Sequence, residues 1–568
     1  RKPVKRFSSI VALFVVALVA FAGCGTSTDD GTLTEQTRSG TLRVAIGQDA
    51  PTLDPARVTD TTSHEVTKQM YEGLVAYDKE LNIVASLASS WDVSPDGTLY
   101  TFHLRDVKFA TGDPVTANDV KWSFERVLNP ATKSERTWIF DEVAGALDFT
   151  AGKAQEVAGI VVKDDKTVEV RLTEYSPIFL HKMTYSAAYI VNRKIIESYD
   201  NNEAAEEKTE VPAKEGKEPE KTESQLKKGL WHSYESAGTG PFKLQEWKKD
   251  QKVVLIPNDN YWGQKVMVET LVFPVIKDDT IRMQEYQAGN IDVLYPIPDA
   301  DFERVKNDPQ LSTEISQVKD LAIYYIGFQN KLEPFTNKKI RQAFNMAVNR
   351  QDIVDKIFKG RHTLATGIIP PSMPNYKSLT DAYPYDPTKA KQLLEEAIKE
   401  GAKVPSKVVF AFNQGNVTHK NIAEFIQEQI KGNLGIDLQL ESVEWATYLK
   451  RIDDGAFPMF RLGWVADYPD PDNFLWVLLD SSNAGPKGGG AFYSNPNFDK
   501  LVRDAKKEKD SEKRMGLYAE AEKIAMEDAC WMPIVFQNSW TLVKPNVTGY
   551  FRNAMGPMMY NTVKIGSK

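Results

Sequence analysis

Two cysteines, at positions 24 and 530, and six histidines are all that 568 residues hold of the softer metal ligands. So few thiols exclude a disulfide framework and a cysteine-ligated zinc site, and leave the fold to be held by apolar burial. Charge of one sign is also scarce. The 70 Lys and Arg against 78 Asp and Glu leave a net of -8, which offers no global pull toward phosphate backbones and argues against nucleic acid as a partner. The motifs of common chemistries are missing as well. No Gly-x-Ser-x-Gly elbow or P-loop occurs, no Gly-x-Gly-x-x-Gly follows a strand pattern, and Gly488-Gly489-Gly490 lacks the Lys-Ser/Thr that phosphate cradling needs. His64-Glu65-Val66-Thr67-Lys68 begins like a zinc-protease helix but puts a lysine where the second imidazole belongs. Ser224-Gln225-Leu226-Lys227 sits in a charged stretch where nothing would desolvate the lysine. Asp467, Asp470 and Asp472 alternate with prolines and lack a closing bidentate Glu, which fits a turn-rich loop better than a calcium site. No catalytic residues, metal or cofactor are expected, and the chain is read as a non-enzyme.

What is present is core material: 42% hydrophobic and 26% charged residues in 63.9 kDa, enough for three or four domains or fewer large ones. Arg1, Lys2, Lys5 and Arg6 form a cationic head before the apolar run 10–22, whose thirteen or so residues suit a signal-peptide core and fall short of a bilayer span. Small residues precede Cys24, and residues 25–40 read as a flexible tether. If Cys24 carries a lipid, Cys530 has no intrachain partner, and its apolar neighbours predict a buried, unreactive thiol. Strand patterns at 41–46, 253–256, 408–412 and 437–440 mix with helical patterns at 63–71, 340–347, 388–400 and 422–430, an α/β (mixed α+β) pattern. Between 91 and 107 the period is two around the turn Ser94-Pro95-Asp96-Gly97, and Thr116 then caps an amphipathic helix. Residues 201–229 carry eight Glu, six Lys and no aromatic residue, the composition of a solvated insertion.

Tyr71-Glu72-Gly73-Leu74, Ala88-Ser89-Ser90-Trp91-Asp92-Val93-Ser94-Pro95-Asp96-Gly97, Thr116-Ala117-Asn118-Asp119-Val120, Gly238-Thr239-Gly240-Pro241-Phe242, Asn260-Tyr261-Trp262 and Ile340-Arg341-Gln342-Ala343-Phe344 recur in order along the chain. In these segments the chain resembles the extracellular solute-binding proteins of peptide ABC importers, of the family 5 type, and most of all the oligopeptide-binding lipoproteins. The resemblance implies a two-lobed, type II clamshell with an extra small domain in the first lobe, which captures a ligand between lobes and delivers it to permease subunits. It implies a lipobox at Cys24, with Phe21 in place of the usual leucine, and so an extracytoplasmic protein held to the bacterial membrane by its N-terminal lipid alone. The expected division is a signal peptide at 1–23, a lipidated tether at 24–40, a first lobe at 41–75, 233–318 and 531–568, a small domain at 76–232, and a second lobe at 319–530. A monomer is expected.

Phe460-Arg461-Leu462-Gly463-Trp464-Val465-Ala466-Asp467-Tyr468 is similar to a segment in which, in the oligopeptide binders, the aspartate pairs with a peptide α-ammonium and the arginine with the carboxylate of a short peptide. Strand alternation places Arg461, Gly463, Val465 and Asp467 on one face. Six residues separate the two charges by roughly 20 Å at Cα, which side-chain reach reduces to on the order of 10 Å, about a tripeptide. The resemblance adds His419 as a group for the carboxylate of longer peptides, Trp445 as a pocket wall, and Thr61, with Thr59, as part of a loop offering backbone groups. Trp464 belongs to the same segment, and Val465 stands where some relatives have a disulfide cysteine. Short peptides are the expected ligand. A receptor for nickel, haem or a glycan is the alternative, ahead of a secreted hydrolase or a cell-surface signalling or adhesion protein.

Overall fold

The computed structural model describes residues 38–206, 231–233, 235–381 and 383–566. The signal-like segment, Cys24, the tether up to residue 37 and residues 207–229 of the charged insertion lie outside the described residues. Residues 201–206, expected to begin that insertion, instead continue the helix Arg193–Glu206. Their Ala and Glu are good helix formers, so composition that cannot build a core still extends an existing helix. Among the described residues no helix is long and apolar enough to cross a membrane.

Three main sheets organise the chain. The first joins Thr41–Arg43 in parallel to Thr270–Pro274, then Lys252–Pro257 and Phe242–Lys248 antiparallel. The second is antiparallel, in the order Ala88–Val93, Leu99–Leu104, Thr167–Arg171, Ile160–Asp164. Its first hairpin closes through the expected turn, where Ser94 bonds Asp96 at 2.5 Å and Gly97 adopts φ +77, a left-handed conformation that favours glycine. The expected cap at Thr116 opens the helix Ala117–Leu128 as a full capping box with Asp119. The third sheet has seven strands, in the order Val293–Leu294, Trp531–Val543, Ile315–Phe328, Met459–Val465, Lys407–Asn413, Asp437–Val443, with Thr363–Leu364 at the side.

Two long antiparallel strands tie the first lobe to the second. Residues 315–319 pair with 538–542 beside Val293, which itself bridges to Val44 of the first lobe, whereas residues 323–327 pair with 531–536 inside the second lobe's sheet. The register shifts between Lys319 and Ile323. Residues 531–536, expected in the first lobe, pair with 323–327 of the expected second lobe in this sheet.

The cores follow the sheets, with one exception. Leu42, Tyr71, Phe242, Leu255 and Phe273 pack within the first lobe, and Phe328, Phe344, Phe410, Ile426 and Ile534 within the second. The small domain does not close on itself. Its Phe102, Phe124 and Trp138 share one buried cluster with Tyr468, Phe474 and Trp476 of the second lobe, and the Trp138 and Trp476 rings meet edge to face at 5.7 Å. Each such aromatic contributes roughly 1.5–3 kcal/mol on full burial.

Candidate functional site

A cavity of about 580 Å³ lies where these parts meet. Thr61, His419, Trp445, Arg461, Gly463, Trp464, Val465 and Asp467 all line it. The strand Met459–Val465 runs along one wall, with Arg461 opposite Ile326 and Val465 opposite Ala322 of its neighbour. A Cβ on Gly463 would approach the Arg461 guanidinium at 3.7 Å and Gln537 Oε1 at 3.6 Å. Residues 461 and 463 thus share a face, as alternation requires.

The strand ends at Val465, so Asp467, expected on its face, lies two residues beyond it, and its placement is the work of Asn473, a fully buried residue of the helix Asp472–Leu479. The Asn473 carbonyl oxygen accepts the Asp467 backbone N–H at 2.9 Å and the Trp464 indole N–H at 2.8 Å, and its amide donates to Asp467 Oδ2 at 3.1 Å. The carboxylate is therefore aimed by a single amide. Burial pushes the Asp467 carboxyl up to about 6, against the opposing pull of Arg136 and the Asn473 hydrogen bond. Arg136 is itself buried and donates to three separate segments: the Thr59 carbonyl, the Tyr185 hydroxyl and the Pro486 carbonyl, each at 3.2 Å.

Further along the wall the Arg461 guanidinium lies 4.4 Å from the Tyr324 ring centroid and donates to Asn413 Oδ1 at 3.1 Å, while its Nε is buried without a partner. Tyr324 in turn meets His419 Nδ1 at 3.3 Å. Burial, and then the Arg461 charge, hold the His419 imidazole well below its ordinary range. Both causes favour the neutral imidazole over the cation. Trp464 lines the cavity while its indole N–H is held by Asn473.

Opposite, Asp60 caps the helix Thr61–Thr67 through the Thr62 and Ser63 amides at 3.1 and 3.2 Å. The Trp445 indole N–H donates to the same Asp60 oxygen at 3.3 Å, a contact from the second lobe to the first. Asn473, Arg136 and Asp60 were not among the residues expected from sequence. Asp60 carried a signal, since it precedes Thr61-Thr62-Ser63 as an aspartate cap. Arg136 and Asn473 carried none, because their roles depend on segments brought together from far along the chain.

The neighbouring aspartates serve the fold. Asp470 takes two 2.7 Å bonds from Arg514, and Asp472 accepts from Tyr468 at 2.6 Å and Tyr518 at 3.1 Å. Among the described residues no group of three His, Cys, Asp or Glu side chains is placed to hold a metal ion. Cys530 is buried and its thiol is pushed up by desolvation, as its apolar neighbours predicted.

Outside the cavity the small domain and second lobe share a buried charge cluster. Lys182 Nζ, with no exposed side-chain surface, lies 2.9 Å from Glu142 Oε1, and Lys506 of the second lobe reaches the same oxygen at 3.5 Å. Burial favours the neutral acid, but the two ammonium groups outweigh it and hold the Glu142 carboxyl down at about 2.

The sequence profile of the bacterial extracellular solute-binding proteins, family 5, middle region, matches residues 82–486. Heme-binding protein A of Haemophilus influenzae is 32% identical, over 97% of this chain and 98% of its own length. The oligopeptide-binding protein OppA of Bacillus subtilis is 28% identical over 97% and 99%. Among solved structures, the murein tripeptide binding protein MppA of Escherichia coli superposes with a TM-score of 0.81 at 27% identity, covering 94% of this chain and 99% of that one. Its unliganded open form superposes with a TM-score of only 0.62, at 92% and 97% coverage. The lobes of this chain are therefore arranged unlike those of that open form.

Proposed function

Because this chain belongs to the bacterial extracellular solute-binding proteins of family 5, we propose that it captures short peptides between its lobes and delivers them to the permease of an ABC importer. It is a type II, two-lobed binding protein of a family whose members bind solutes without transforming them. The observation that supports a peptide is the presence in one cavity of Asp467, aimed by Asn473, and of Arg461, six residues earlier on the adjoining strand. A carboxylate and a guanidinium at the two ends of a tripeptide-sized interval suit an α-ammonium and an α-carboxylate. Backbone pairing with the ligand would supply affinity for any sequence, with selectivity set by its ends.

Native mass spectrometry of the soluble domain purified from cells tests this reading. A copurified peptide of a few residues with a free amino end is expected. A copurified tetrapyrrole with its visible absorption would instead favour haem, which the 32% identical relative is named for, and either a glycan or a hydrolysed added peptide would overturn the assignment.

The reading includes an anchor. Residues 20–24, ending in Gly23-Cys24 after a short apolar run, support processing to a diacylated cysteine that tethers the protein outside the membrane. Cys24→Ala removes the one thiol able to form the thioether there. Wild type is expected to carry a lipid mass and partition into detergent, and the variant to do neither. Identical partitioning without lipid mass would remove the anchor from the account.

A further inference from the structure

The ammonium anchor does not account for all the acid at its end of the cavity. Glu135, from the small domain, and Asp453, the last residue of the helix Trp445–Asp453 in the second lobe, both line it. Among the described residues neither carboxylate has a hydrogen bond or an ion pair. The cations near them are engaged elsewhere: Arg136 with the Thr59 and Pro486 carbonyls and the Tyr185 hydroxyl, and Lys450 with Asp454 at 2.9 Å. Arg57 also acts on Glu135, and Asp454 adds a further negative charge to both carboxylates. A third carboxylate points the same way. Asp60 is only 7% exposed, lines the same cavity, and keeps one oxygen with no partner.

Leu449 and Asp453 stand one helical turn apart on the cavity face, about 6 Å along the axis. An apolar wall that ends in a carboxylate matches a side chain with an aliphatic stem and a cationic head. Two carboxylates facing one cavity from opposite walls also repel each other unless a cation lies between them. In keeping with this, burial and the Glu135 charge push the Asp453 carboxyl up to about 7.

We propose that Glu135 and Asp453 form a subsite for a lysine or arginine side chain of the bound peptide, so that the protein prefers basic peptides. This rests on the peptide reading above. Calorimetry with Ala-Ala-Ala and with peptides placing lysine, or its uncharged isostere norleucine, at each of the three positions tests it. In one register lysine is expected to bind about tenfold tighter than norleucine, the order of an interfacial charge pair, and the ratio is expected to shrink with added salt. In the Glu135→Gln, Asp453→Asn double variant the lysine to norleucine ratio in that register should fall to near one. If Ala-Ala-Ala binds but lysine and norleucine agree within twofold in every register, or if the ratio survives in the double variant, the subsite is overturned while the peptide reading stands. If none of the peptides binds, the peptide reading fails and the subsite with it. The wild-type ratio decides the matter even if the double variant does not fold.

Discussion

Asp467→Asn is expected to weaken binding of a free tripeptide by about 2–5 kcal/mol, or roughly 30-fold to several-thousand-fold, the range for removing one partner of a buried charge pair. The substitution preserves shape and the Asn473 contact geometry around it, so lost packing does not explain such a loss. The ammonium that enters a closing cavity sheds its water, and without a carboxylate its burial costs several kcal/mol. The pH dependence has a definite sign. Burial pushes the Asp467 carboxyl up to about 6, and an ammonium beside it favours the charged form. Affinity for a free-amino peptide should therefore be full well above pH 6 and decline as pH falls through that value, with proton release on binding. Asp467→Asn should remove that part of the slope. An Asp467→Asn protein with wild-type affinity and wild-type pH dependence would show that the carboxylate does not touch the ligand.

The second large effect lies outside the cavity. Glu142→Gln leaves the fully buried Lys182 ammonium, and beside it Lys506, with no carboxylate at Glu142's position. The expected loss of unfolding free energy is about 3–5 kcal/mol, measured by denaturant titration. With the Glu142 carboxyl held down at about 2 against an ordinary 4.5, its stabilisation is full above the ordinary value and is lost progressively as pH falls from there through about 2. Removing the charges together should be far milder, because apolar groups of similar size can replace a buried ion pair at little cost. Glu142→Leu with Lys182→Met should therefore recover most of the loss. A Glu142→Gln protein within about 1 kcal/mol of wild type would mean that water reaches the cluster.

The local parts of this fold were legible because they depend on adjacent residues. The Ser94 to Gly97 turn, the Thr116 cap and the strand bearing Arg461 each follow from spacing within a dozen residues, although that strand ends at Val465, before Asp467. What sequence could not supply were the groups that aim the site. Asn473 reads as an ordinary residue in an apolar helix until the chain folds back to place its amide on Asp467. Arg136 lies in an unremarked polar stretch, yet joins residues 59, 185 and 486. The charge state of His419 was likewise hidden, since it is set by burial and by Arg461, 42 positions away in the chain. The shared apolar cluster of Trp138 and Trp476 looks in sequence like two separate cores.

The central claim is that a peptide's free amino end meets Asp467, and a calorimetric cycle tests it most directly. Wild type and Asp467→Asn are each titrated with a free tripeptide and with the same tripeptide N-acetylated. The cycle isolates the one contact because each single change removes it alone. The account predicts that wild type binds the acetylated peptide poorly, that the variant loses much less against it than against the free peptide, and that the coupling energy is about 2 kcal/mol or more. A coupling energy below about 0.5 kcal/mol, the ordinary error of additivity, would contradict it and leave Asp467 as a turn residue on the wall of a cavity built for another ligand.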